Sequence, residues 1–200
     1  MTRASVRIRP AEHSDIDALV TLIGSVDTTS GIFSGRALLD PDTDHLARRL
    51  GEILDESTRT LLVAVDEQTS SAVGLLVAKI DEIGAIDVTP ALHVTHLIVA
   101  PKQRRRGIGR ALLAGAVHIA DEQGVERMLA TASSGSREAN RYLARLGFAP
   151  MVVHRVASTA VLRRSLGLSE TAERMAVLRR ARMTRTQRTG LTARVVGRGA

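Results

Sequence analysis

The stretch from residue 96 to residue 110 constrains this chain more than any other. His96-Leu97-Ile98-Val99-Ala100-Pro101 is an apolar run stopped by proline, Lys102-Gln103-Arg104-Arg105-Arg106 is strongly basic, and Gly107-Ile108-Gly109-Arg110 opens a new pattern. In that pattern Ile108, Leu112, Ala116, Ile119 and Ala120 recur at helical spacing, and Gly124 stands where a helix end belongs. The unit reads as strand, turn and helix, with the helix over 107–123. The first amides of a helix have no intrahelical acceptor, and the helix dipole puts partial positive charge there. Glycine lets a guest approach the backbone closely. With basic side chains around it, such a turn is an anion cradle, and a pyrophosphate fits it. A solvated basic loop or a nucleic-acid patch would account for the charges but not for a glycine pair at a helix start.

The rest of the chain supplies a sheet for this unit. Residues 5–9 alternate apolar and charged, as a short strand does. Ser14 is placed to cap a helix with Asp15 and Asp17 in its first turn and Ile16, Leu19, Val20 and Ile23 as its stripe. A second helix is expected over 42–54, with Leu46, Leu50, Ile53 and Leu54 inward. Apolar runs at 60–65, 72–80 and 91–99, separated by polar turns, read as two antiparallel hairpins. After the central helix come a strand over 125–131, a helix over 136–146 ended by Gly147, and a last strand over 148–156. The order β-α-α-β-β-β-α-β-α-β is that of an α/β fold with a mixed sheet flanked by helices. Aromatic residues make up 2% of the chain, so the core must be built from Leu, Val, Ile and Ala.

Other signatures are absent. G-x-x-x-x-G-K-[ST] does not occur, and Leu112 stands where the third glycine of a dinucleotide fingerprint would be. Without cysteine there is no thiolate metal site or cysteine nucleophile, and the dispersed histidines give no metal-ligand spacing, so no metal is expected. No apolar run reaches the roughly 18–20 residues that span a bilayer, residues 1–10 lack an apolar signal core, and a cytoplasmic location is expected.

What is present at the turn is R-x-x-G-x-G, as Arg104, Gly107 and Gly109, after an apolar strand ending in Val-x-Pro and before Arg-Ala-Leu-Leu. In this setting the segment resembles the GNAT superfamily of acyl-CoA-dependent N-acetyltransferases. Ile8-Arg9-Pro10 with the helix at Asp15 is similar to the family's opening, and 139–148 to its fourth helix and following strand. The resemblance covers about residues 5–157. It implies a mostly antiparallel sheet with a splayed central strand pair, acetyl-CoA as acyl donor, and transfer to a primary amine of a small molecule or protein. By the same resemblance Leu97, Ile98 and Val99 hold the acetyl-pantetheine arm through their main chain. Arg104, Arg105, Arg106, Gly107, Ile108, Gly109 and Arg110 hold the pyrophosphate, an amide at Ile98 or Val99 serves the developing oxyanion, and Ser136 stands where the family often has a CoA-contacting Asn. Ser136 can equally cap its helix.

Direct attack of an amine on a thioester asks for a base and, ideally, an acid. His93 and His96 are the candidate bases, His93 matching a strand position where some family members carry a catalytic Glu; either can also be a packed strand histidine. The family's usual Tyr position is Leu143. Tyr142, the only tyrosine, stands one residue earlier, about 100° round the helix, where half-buried packing with a hydrogen-bonded hydroxyl is the simple expectation.

The basicity belongs to the C-terminal end. Residues 161–200 hold ten Arg and two Glu, whereas the first 160 hold 18 basic and 19 acidic residues. The chain therefore divides into a domain over 1–160 and an Arg-rich extension over 161–200. A helix start is expected at Ser169 and disorder from 184. The extension can be a solvated arm or can meet nucleic acid or another acidic partner. A non-catalytic CoA-binding module, a nucleic-acid-associated protein and a homodimer are the other readings the sequence admits. The acceptor loops, 28–42 and 81–90, name no substrate.

Overall fold

The computed structural model describes residues 5–26, 43–83, 86, 88–133 and 135–168. The chain divides into a unit ending at Met151 and one beginning at Val152. In the first, β1 (Val6–Pro10), α1 (Ile16–Gly24), α2 (Thr43–Asp55), β2 (Arg59–Asp66), β3 (Ala72–Glu82), β4 (Pro90–Val99), α3 (Ile108–Glu122), β5 (Met128–Ala130) and α4 (Arg137–Arg145) follow in order. The sheet runs β1-β2-β3-β4-β5, antiparallel except between β4 and β5.

Strand alternation gives the sheet two apolar faces. On one, Leu62, Ala64, Leu76, Leu92, Val94 and Leu97 pack with Ile108, Leu112 and Ala116 of α3. On the other, Leu61, Val63, Leu75 and Val77 pack with Leu19, Leu22 and Leu50 of α1 and α2. Hence the strands are nearly continuous apolar runs, as a sheet covered on both faces requires. The β2–β3 turn is closed around buried Asp66, whose Oδ1 accepts from the Gln68 amide at 2.9 Å and whose carbonyl accepts from the Ser70 amide at 2.7 Å.

Ser14 does not cap α1. It lies in a 3-10 turn, His13–Asp15, and Asp15 is the cap residue. The Asp15 carboxylate reaches back to the Glu12 amide at 2.8 Å and receives both terminal nitrogens of Arg9, at 2.6 and 2.7 Å. The Arg9 hydrogen bond holds the Asp15 carboxyl below its ordinary pKa, so β1 and α1 are joined by a charge-assisted fork.

Two strand expectations need correction. β5 covers only Met128–Ala130 rather than 125–131. Residues 148–156 join no ladder, and Met151, Val152, Val153 and Val156 are exposed. Alternating apolar residues fit a pleated surface, but a strand also needs a partner edge, which the pattern cannot supply. In the second unit, α5 (Thr159–Ser165) begins at Ser158, whose Oγ accepts from the Val161 amide at 3.2 Å. The expected helix start at Ser169, the disorder expected from residue 184 and the acceptor loop at 28–42 lie outside the described residues. No helix among the described residues is long and apolar enough to cross a membrane.

Close approach of α3 to the sheet depends on Gly74 of β3. A Cβ there would lie 2.9 Å from Ile108 Cγ2, 3.0 Å from Leu112 Cδ1 and 3.2 Å from Ala64 Cβ. Gly74→Ala is expected to destabilise by about 1–3 kcal/mol through overpacking, lowering Tm by roughly 2–4 °C per kcal/mol. Thermal unfolding checks this, and an unchanged Tm would show that α3 is free to shift.

Candidate functional site

β4 changes character at Thr95. Val77 of β3 pairs with His96, yet Ala78 pairs with Val94, so Thr95 is an extra residue, a β-bulge. Its hydroxyl donates to the Val77 carbonyl at 3.1 Å, a side-chain bond at the break in the ladder. On the other side of β4, pairing with β5 ends at Val94–Ala130, and the Thr131 amide reaches the Val94 carbonyl at 3.4 Å. Beyond that point no strand among the described residues lies on this edge of β4. This is the divergence that the resemblance implied.

Along a strand, amides point alternately to its two neighbours. The Ala100 amide donates to Val73 of β3 at 2.9 Å. By alternation the Ile98 amide also faces β3, while those of Leu97 and Val99 face the open edge. The Leu97 side chain is buried against α3 and Ile98 packs toward α1 and α2. Of the two amides suggested for an oxyanion, Val99's is on the open side and Ile98's is turned away from it.

The chain then enters a 3-10 turn, Pro101–Gln103, and two left-handed residues follow, Arg105 with φ 62° and Gly107 with φ 85°. Alternating backbone reversals gather successive N–H groups into a concave anion site. Among the described residues no acceptor takes the amides from Arg105 to Arg110; the first α3 amide to find one is Ala111, on the Gly107 carbonyl at 2.9 Å. Arg105, Arg106 and Arg110 are exposed around this nest, Arg104 is half-buried, and Arg106 Nη1 donates to Gln103 Oε1 at 2.8 Å. Ile108 is buried and anchors the helix start in the core.

The glycines differ in role. Gly107 is left-handed with open space around its Cα, so its backbone conformation requires glycine. Gly109 is not left-handed, and a Cβ there would meet Tyr142 Oη at 3.4 Å and Val99 Cγ2 at 3.8 Å, ordinary contacts. Protein packing leaves room for Ala at 109.

The two histidines lie on the face covered by α1 and α2, since His96 pairs with Val77 and His93 with Lys79, two places along β3. His93 Nε2 is 2.8 Å from Thr131 Oγ1, bridging β4 and β5 where they part. His96 is half-buried with Nδ1 3.2 Å from Thr95 Oγ1. The Thr95 hydroxyl hydrogen goes to Val77, so its oxygen accepts and His96 Nδ1 carries the proton. Neutral His96 therefore has an unprotonated Nε2. Burial first, and the positive charge of Arg59 second, push its pKa below the usual 6.5.

Ser136 is the cap of α4, its Oγ accepting from the Ala139 amide at 3.3 Å. Asn140, which the sequence reading passed over, ties down the preceding loop through Nδ2, at 2.9 Å from the Ser133 carbonyl and 2.7 Å from that of Ser136. Leu143 is buried. Tyr142 packs against the α3-side core as expected, but its hydroxyl, buried, has no hydrogen-bond partner among the described residues. The expectation of a bonded hydroxyl is thus corrected. Among the described residues no group of three or more His, Cys, Asp or Glu is placed to hold a metal ion.

A profile of the acetyltransferase (GNAT) family matches residues 32–148. The chain belongs to this GNAT acetyltransferase family. Solved structures agree on the fold. A transcriptional regulator from Bacillus halodurans C-125 superposes with a TM-score of 0.63 at 20% identity, over 77% of this chain and 99% of its own. The aminoglycoside N-acetyltransferase AAC(6')-Iy in complex with CoA gives 0.63 at 18% identity, over 78% and 95%. Glucosamine-6-phosphate N-acetyltransferase from Arabidopsis thaliana gives 0.60 at 14%, over 78% and 99%. No curated protein sequence matches the chain.

For this GNAT domain the loop glycines make a structural prediction. Gly107→Ala is expected to cost about 1–2 kcal/mol, because Ala disfavours the left-handed region. Gly109→Ala should hold stability or raise it by up to about 1 kcal/mol, since glycine within a helix is a weak choice. Thermal denaturation of the two variants checks the order, and the reverse order would overturn the assignment.

Proposed function

We propose that this chain is an acetyl-CoA-dependent N-acetyltransferase acting on a primary amine of a small molecule or a protein. The observation that carries the reading is the nest of amides from Arg105 to Arg110, without acceptors among the described residues, beside an edge of β4 that no described strand covers. The residues fit the donor: a diphosphate supplies oxygens to this nest and to the arginines around it, and the Leu97 and Val99 amides face the side from which an extended arm could pair with β4. When bound, acetyl-CoA supplies an activated acetyl thioester.

Arg104, Arg105, Arg106 and Arg110 hold the phosphates together with the amides of Gly107, Ile108 and Gly109. Leu97 and Val99 bind the acetyl-pantetheine arm through their amides, and of the two amides suggested for the thioester oxygen Val99's is the one on the open edge. Ile98 acts from the other face, as packing. Ser136 sets the start of α4. His96 is the base: its Nδ1–H is fixed by Thr95, so Nε2 can take the proton of the acceptor ammonium, directly or through water. Burial keeps His96 neutral at pH 7, in the form a base needs. His93 is the second candidate, with its Nε2 2.8 Å from Thr131 Oγ1. Two of the similar folds are named for acetylating amino sugars, which favours nitrogen as the acceptor atom.

Acetyl-CoA at 100 times its Kd is expected to stabilise by about 2.7 kcal/mol, a rise in Tm of roughly 5–10 °C; no shift would sink the reading. CoA release measured over a panel of amines then tests transfer, and a Tm shift without release from any amine would mark a non-catalytic CoA-binding module. With a responsive amine, kcat/KM should fall on the acid side below pH 6.5, as His96 becomes protonated. His96→Gln is expected to remove that limb and lower kcat roughly 10²–10⁴-fold; an unchanged profile would move the base elsewhere.

A further inference from the structure

Positive charge in this chain is segregated. Residues 137–200 hold 14 arginines, no lysine and three glutamates, whereas residues 1–136 hold 14 basic and 18 acidic residues. The excess therefore begins at α4, ahead of the extension. On α4 it is ordered. Arg137, Arg141 and Arg145 follow at i, i+4 and i+8, so they lie on one side of the helix in steps of about 6 Å along its axis. All three are exposed, while Ala139 and Leu143, both buried, take the opposite side. Tyr142, about 100° round the helix from Arg141, is the side chain that reaches the first turn of α3, so the middle of the stripe is turned away from the amide nest. No ion pair among the described residues involves these three arginines, nor Arg155, Arg163 or Arg164 after them. Glu138 stands beside Arg137 and one turn from Arg141 and pairs with neither. From residue 139 to residue 169 the chain has no Asp or Glu. Like charges at i, i+4 destabilise a helix. A stripe that works against α4 and finds no anion within the described residues is accounted for by an anion from outside.

Three features say which anion. Every cation after Lys102 is an arginine, whose planar fork takes phosphate oxygens two at a time. The apolar side of α4 is spent on the core, so the stripe lacks the apolar flank with which a membrane-surface helix enters a bilayer. No aromatic residue follows Phe148, so stacking on the bases of a single strand is unavailable. A duplex asks for none of these things: it presents a dense, regular array of phosphates. We propose that this chain binds double-stranded nucleic acid, without sequence preference, through phosphate contacts from Arg137, Arg141 and Arg145 of α4 and from the arginines of the extension. The interaction is separate from the acyl-CoA reading, since it uses none of the residues assigned to the donor.

The test is fluorescence anisotropy of the full chain with labelled DNA and RNA duplexes of mixed sequence, titrated between about 50 and 200 mM salt. Kd is expected between about 1 and 100 µM at the upper end, with log K falling linearly in log salt by about 0.9 per phosphate neutralised. The variant Arg137→Gln/Arg141→Gln/Arg145→Gln should flatten that slope by about 2–3 and raise Kd at least tenfold at the lower salt. Gln keeps helix propensity near that of Arg, so the variant's Tm should match the parent's. A second variant, Arg179→Gln/Arg180→Gln/Arg182→Gln, should flatten the slope by a similar amount. Saturating acetyl-CoA should leave duplex affinity unchanged. No duplex binding by the parent, or a slope that the α4 variant leaves untouched, would overturn the proposal. Displacement of the duplex by acetyl-CoA would place the stripe in the donor site and overturn it too. Tighter binding to a single strand of the same length, to phosphatidylcholine–phosphatidylserine vesicles or to polyglutamate would give the stripe to a different partner, with the same consequence. Loss of CoA binding by the unaltered protein would sink the acyl-CoA reading and leave this one standing.

Discussion

At Thr95 two residues of β4 stand opposite one residue of β3, and the geometry of the site follows from that extra residue. Before the bulge, β4 is hydrogen-bonded on both sides, to β3 and to β5. After it, β4 keeps β3 and has no strand on its other edge among the described residues. A bulge increases local twist and redirects a strand, so a partner as short as Met128–Ala130 is left behind within a few residues. The same residue brings its hydroxyl to the Val77 carbonyl and its oxygen to His96 Nδ1. One insertion thus opens an edge and sets the tautomer of a half-buried imidazole.

The helix that completes the site is held by a different constraint. α3 must come close to the sheet for its first turn to stand at the end of β4, and Gly74 makes that approach. Ile108, buried at the start of α3, fixes the helix end in depth, while Arg105 and Gly107 take left-handed conformations so that the chain can turn into it. A non-glycine residue held left-handed carries a local strain of about 1–3 kcal/mol. Here the strained residue lies in the amide nest, where strain of this kind is commonly found.

Much of this was legible in the sequence because it rests on local signals. The two hairpins, α1, α2, α3 and α4 each have a periodic apolar stripe or run, and the strand–turn–helix unit is written in consecutive residues. The bulge too has a signal in the sequence. Leu92 and Val94 set one alternation and Leu97 and Val99 resume it one residue out of phase, which marks an inserted residue between them. What could not be read depends on partners distant in sequence. Residues 148–156 alternate like a strand and join no ladder. The Gly107–Gly109 pair looks uniform on paper, yet only a φ value distinguishes the glycine that the backbone demands from the one that leaves space.

Tyr142 shows the limit most clearly. Position in a helix says which way a side chain leaves the backbone, and a displacement of one residue from the family's usual tyrosine argued for plain packing. Packing it is, for the ring. But a phenol spans several ångströms beyond its Cα, and the group at its tip answers to a different neighbourhood from its base. The base of Tyr142 belongs to the core, and its tip lies at Gly109, in the turn that the sequence had already singled out for its basic charge and its glycines.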